Sequence, residues 1–163
     1  MSTYISHTNA VLGGVPVAMK PTAILDLMVK DHRTIVKLLK EVEKNLDADS
    51  KTLTKAFDTL NWNLEKHIFT EEKAIFTSYS PVNVIEGYKM VPELIKQHNV
   101  ILNKMNLMRT DLMKKKPIDF HAFTELLTEH KTYEENFLYP QLDQELGESQ
   151  KKVIIERILE LVE

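Results

Sequence analysis

The feature that most constrains this chain is an internal repeat that sets imidazoles and carboxylates where a helical core should be apolar. Met28-Val-Lys-Asp-His32-Arg-Thr-Ile-Val36 aligns without gaps on Leu94-Ile-Lys-Gln-His98-Asn-Val-Ile-Leu102. His67-Ile-Phe-Thr-Glu-Glu-Lys-Ala-Ile-Phe76 aligns in the same way on His130-Lys-Thr-Tyr-Glu-Glu-Asn-Phe-Leu-Tyr139. The first and second His of each copy stand 35 and 32 residues apart. The chain therefore reads as two copies of a helix hairpin, each supplying one His and then one His-x-x-x-Glu.

The apolar spacing around these residues is helical. Leu25, Met28, Val29, His32, Ile35, Val36, Leu39 and Val42 recur at i, i+3, i+4 and i+7, which predicts a helix from about Thr22 to Asn45. Asp49 or Ser50 is placed to cap a second helix, which carries Leu53, Phe57, Leu60, Leu64, His67, Glu71, Ala74 and Ile75 and ends at a turn over Ser78–Pro81. A loop with Gly87 is expected next. Proline is favoured in a first helical turn, so the third helix is expected to begin near Pro92; it runs to Lys114–Pro117. The fourth, from about Asp119, carries Phe123, Leu126, Leu127, His130, Tyr133, Glu134, Phe137 and Leu138, with Pro140 expected to kink or end it. A short fifth helix comes after Gly147. The fold expected is all-α, an up-down-up-down four-helix bundle over residues 22–145, preceded by a tail at 1–21. The fifth helix, in 146–163, has an apolar stripe that either packs on the bundle or makes a dimer interface.

On a helix a Glu four residues after a His lies one turn along and about 40° around. Apolar neighbours flank each His at three or four residues, so His32, His67, His98, His130, Glu71 and Glu134 all point into one core. A carboxylate buried without partners is very costly, and two are worse. Four imidazoles and two carboxylates are satisfied together by metal, and such donors without thiolate suit iron, manganese or zinc. A lone core His is ordinarily just hydrogen-bonded, and a lone His-x-x-x-Glu is often a surface pair. Four His on four helices, two with Glu in register, make a metal site the better reading. His121 lies about half a turn off the apolar face and His7 lies in the tail, so neither is proposed as a ligand. Thr70 and Tyr133 could border the cavity, and Glu72 and Glu135 could hydrogen-bond the ligands, although charged residues off a core face are usually solvated.

Composition removes competing classes. With 21 basic against 24 acidic residues and a net charge of −3, the chain lacks the positive footprint that nucleic acid requires. It has no cysteine, which removes disulfides, thiolate-bound metal and thiol catalysis. No run is long and apolar enough for a membrane helix. The stretch before Val11 has no Lys or Arg, and the apolar run after it is broken by Gly13, Gly14 and Pro16. A secretory signal is therefore not expected, and the expected location is the cytoplasm.

The pattern His32, His67-x-x-x-Glu71, His98, His130-x-x-x-Glu134 resembles the hemerythrin-like, or HHE cation-binding, family over about residues 22–145. The resemblance implies two non-haem iron ions bridged by Glu71, Glu134 and an oxo or hydroxo group, with His32 and His67 on one iron and His98 and His130 on the other. Oxygen-carrying hemerythrins have a fifth His where this chain has Leu102, and a final Asp five residues after the fourth-helix His, where it has Glu135. The set of four His and two Glu is more similar to that of bacterial repair-of-iron-centres proteins, which act against nitrosative and oxidative damage. Those carry an additional cysteine-bearing region, so a role needing that thiol does not transfer.

Such a ligand count gives each iron about five donors and leaves a position open for a small molecule. The expected function is binding of, or reaction with, O2, peroxide or NO at the iron pair. The alternative is an oxygen- or iron-sensing or storage module without turnover. Peroxide or a small diatomic is then the expected ligand, with a redox partner that the sequence does not name.

Overall fold

The computed structural model describes residues 20–79 and 84–162. Most of the expected tail, with His7, and the Ser80–Pro81 part of the expected turn lie outside them. The described residues form the expected all-α bundle. Helix α1 spans Ala23–Lys44, and α2 spans Ser50–Thr70 and widens into a π-helical segment over Glu71–Phe76. Helix α3 spans Val84–Met113. Helix α4, Phe120–Tyr133, passes through a second π segment, Glu134–Leu138, into α5 at Tyr139–Glu145. Helix α6, Glu148–Val162, lies against the bundle, where Ile154 and Ile158 are buried.

Local chemistry accounts for several of the boundaries. Asp49 caps α2 by accepting from the backbone N–H groups of Lys51 and Thr52, and Asp119 caps α4 by accepting from that of Ala122. The start of α1 is capped from across the fold. Asp143 accepts from the N–H groups of Ile24 and Leu25 at 3.2 and 2.9 Å. The buried ammonium of Lys151 stands 3.5 Å from the same carboxylate and donates to the carbonyl of Pro21. Helix α3 begins earlier than expected and contains both Gly87 and Pro92. Met90 and Val91 pack on the core just ahead of the proline, so tertiary burial carries the helix through it. Pro140 does not end its helix: it follows directly on the π segment, in the first turn of α5, which continues to Glu145.

The core is divided into two apolar clusters. One contains Ile35, Leu60, Ile101 and Phe123; the other contains Met28, Ile75, Leu94 and Leu138. Each helix of the bundle crosses from one cluster to the other at its His or His-x-x-x-Glu. The six polar residues thus form a layer sealed at both ends by hydrocarbon. Among the described residues, no helix is long and apolar enough to cross a membrane.

Candidate metal centre

All six residues singled out by the repeat meet in this layer, and none is more than 5% exposed. On one side, Nε2 of His32 and Nε2 of His67 are 3.1 Å apart, and His32 Nε2 is 3.2 Å from Glu134 Oε2. On the other, His98 Nε2 is 3.2 Å from Glu71 Oε2 and His130 Nε2 is 2.9 Å from Glu134 Oε1. Glu71 also lies 3.5 Å from His67, and Glu134 3.7 Å from His98. Both carboxylates therefore reach both halves. Two donors about 2.1 Å from one ion and at right angles stand about 3.0 Å apart, so this spacing is that of ligands about a shared metal.

The opposite nitrogen of every ring is held by a second layer. Nδ1 of His67 donates to Asp31 at 2.6 Å, and Nδ1 of His130 to the amide oxygen of Gln97 at 2.9 Å. Nδ1 of His32 donates to Glu135 at 2.9 Å, and Nδ1 of His98 to Glu72 at 3.0 Å. In each copy, the residue before the first His serves the second His of that copy, and the residue after the Glu serves the first His of the other. With Nδ1 carrying a proton, the neutral ring presents an Nε2 lone pair to the centre, the tautomer that metal ligation needs.

Electrostatics reflect the crowding. Burial alone would lower the pKa of His67, but the Glu71 charge, the Asp31 hydrogen bond and the Glu134 charge outweigh it and raise it to about 9. For His98, burial is outweighed by the close contacts of Glu134 and Glu71 and by Glu72, which raise it to about 10. Burial would raise the pKa of Glu134; the imidazoles of His130, His32 and His98 instead hold it well below the usual carboxylate range. Without metal, His67 and His98 are therefore cations that offset buried negative charge.

That compensation is incomplete. Glu71 Oε2, Glu134 Oε1, His98 Nε2 and His130 Nε2 are fully buried and form no hydrogen bond among the described residues, despite distances that would allow one. Buried polar atoms are rarely left in this way. These four side chains offer donor atoms all within 4.8 Å of one another, as do His32, His67 and Glu134. The donor set fits metal.

The π segments help build the layer, since each begins at the Glu of its His-x-x-x-Glu. A wide turn absorbs one extra residue and so rotates the helix beyond it by about 100°. In a regular helix Tyr139 would lie about 180° around from His130; after the wide turn it lies about 80° away. Its hydroxyl enters the centre, donating to Glu71 Oε1 and lying 3.3 Å from Glu134 Oε2 and 3.5 Å from His32 Nε2. Burial and the charges of Glu134 and Glu71 push this phenol well above its usual pKa. The same rotation turns Phe137, expected in the core, out to 57% exposure.

Beyond the centre, His121 is exposed beside Glu125, in keeping with a solvated residue. The Thr70 hydroxyl is bound to the carbonyl of Lys66, and Tyr133 packs against the second apolar cluster and Phe137. Leu102 packs against the first apolar cluster.

The family model described as the hemerythrin HHE cation binding domain matches residues 23–142. The chain belongs to this family. No curated protein and no solved structure matches it. Membership in the HHE family makes this a metal-binding domain, and the buried His and Glu cluster is where the described residues of this HHE chain could hold the metal.

Proposed function

We propose that the protein is a non-haem di-iron protein that binds or reacts with O2, peroxide or NO. His32 and His67 would hold one iron, His98 and His130 the other, and Glu71 and Glu134 would bridge them, together with an oxo or hydroxo group. Manganese or zinc are alternatives that the same donors accept. The observation that carries this reading is the convergence of four Nε2 atoms and two carboxylates in a sealed layer, with every Nδ1 already engaged elsewhere. An iron pair held there would supply one-electron chemistry between Fe(II) and Fe(III).

The protein's own residues limit what can approach. A small cavity of about 30 Å³, lined by Ile35, Leu64, Leu127 and the rings of His32, His67 and His130, adjoins the layer. It has room for one or two water-sized molecules, and its lining, mostly apolar beside Thr128 and Lys131, favours a small diatomic over a larger substrate. Leu102 offers no imidazole, which would leave both metals accessible and favours reaction or sensing over reversible carriage. The test is to load the protein anaerobically with Fe(II) and add NO, peroxide or O2 while recording the optical spectrum. New absorption that is absent from Glu71→Ala is expected. An unchanged spectrum with every one of the three reagents would remove the proposal. Catalytic consumption of peroxide or NO would mark an enzyme, and a single stoichiometric event would mark a sensor or store.

A further inference from the structure

The two halves of the centre are related by the repeat but are not equal, and the difference is concentrated at one position. Phe76 and Tyr139 are equivalent in the gapless alignment of the copies. Phe76 stacks on His98, with ring centroids 5.6 Å apart and planes within 9°. Tyr139 sits beside His32 instead, and its hydroxyl touches Glu71 Oε1, Glu134 Oε2 and His32 Nε2. Among the described residues, the four buried side-chain atoms without a hydrogen bond belong to the other half or face it: His98 Nε2, His130 Nε2, Glu71 Oε2 and Glu134 Oε1. In the His32–His67 half the two Nε2 atoms bond each other and the Tyr139 hydroxyl donates to Glu71 Oε1, whereas the equivalent residue facing His98 is a phenyl ring without a hydroxyl.

We propose that the Tyr139 hydroxyl competes with metal for the His32–His67 position, so that this one residue weakens metal binding there and not at the His98–His130 position. The inference rests on the metal-centre reading above. A metal entering the His98–His130 position displaces the contacts of His98 with Glu71 and of His130 with Glu134, but meets no phenol hydroxyl. One entering the His32–His67 position must also displace the hydroxyl that donates to Glu71 Oε1 and lies 3.5 Å from His32 Nε2. Displacing a hydrogen bond to a charged acceptor weakens binding about tenfold. In the other copy, a phenyl ring with no hydrogen-bonding group takes the equivalent place, so no such step exists.

The experiment compares the full chain with Tyr139→Phe, both metal-free, in buffers that fix free Zn(II) with a competing chelator. The Nδ1–H proton resonances of the four histidines report each half separately, because each ring keeps its own partner. In Tyr139→Phe, the His32 and His67 resonances are expected to reach their zinc-bound positions at about tenfold lower free Zn(II) than in the wild type. Those of His98 and His130 should respond at the same concentration in both proteins. Equal shifts in both halves, no shift, or weaker zinc binding by His32 and His67 would overturn the inference; the last would make the phenol a contributor to metal binding. Zinc binding at neither half of either protein would remove the metal-centre reading and this inference with it. Tyr139→Phe deletes one oxygen and keeps the ring, so the core that Tyr139 fills remains filled.

Discussion

Acidification should weaken metal binding while leaving the metal-free protein intact, and the size of the effect is set by His67 and His98. Each must lose its Nε2 proton before it can ligate. His67 is raised to about 9, so at about pH 7 its deprotonation costs about 3 kcal/mol. His98 titrates at about 10, so its cost is about 4 kcal/mol. Below about pH 9, affinity for each metal should rise about tenfold per pH unit for the imidazolium that it displaces. The metal-free protein has the opposite sign. Both histidines have folded pKa values above the unfolded value of 6.5, so their contribution is complete below that pH and is lost as pH rises through about 9 to 10. The difference in melting temperature between zinc-loaded and metal-free protein should therefore widen from about pH 6.5 to 8.5 at constant free Zn(II). Calorimetric titration in buffers of different ionisation enthalpy should show at least one proton released per metal. A constant difference, with no proton released, would refute this account of the charges in the layer.

Three other contacts carry expected outcomes of their own. Asp31→Asn replaces the carboxylate behind His67 with an amide like that of Gln97, and should weaken zinc binding by at least about tenfold in chelator competition; unchanged affinity would mean that His67 needs no such support. Asp143→Ala removes the acceptor for two N–H groups at the start of α1 and strands the buried Lys151, so urea unfolding should show a loss of about 3 kcal/mol, and a loss under about 1 would contradict the capping role. Lys115 has φ of 56° just after α3, so Lys115→Gly should stabilise by about 0.5–1 kcal/mol in the same assay, and destabilisation would contradict it.

The helices and the six buried residues were legible in the sequence because both derive from one period, with apolar side chains at three and four residues and the His and Glu interrupting that stripe. The departures from that period escaped. The two π segments cannot be read from spacing, and they determine which of Phe137 and Tyr139 enters the core. Pro92 suggested a helix start because an isolated helix tolerates proline best there; packing of Met90 and Val91 overrides that preference. Glu72 and Glu135 lie off the regular core stripe, where charged residues are usually solvated, yet their place beside the ligand Glu residues also suggested hydrogen-bond partners, and both hold a ring. Asp31 and Gln97 escaped altogether, since each lies beside a His in sequence but serves a His on the next helix. Their one signal was position, as equivalent residues of the two copies immediately before His32 and His98.

The central claim is that the six residues hold two metal ions. Elemental analysis of protein purified under iron-replete conditions, without chelator, tests it most directly. Two irons per chain are expected, falling sharply in Glu71→Ala. One zinc or no metal, with a melting temperature unchanged by added metal, would contradict the claim and leave the layer a polar network within the core.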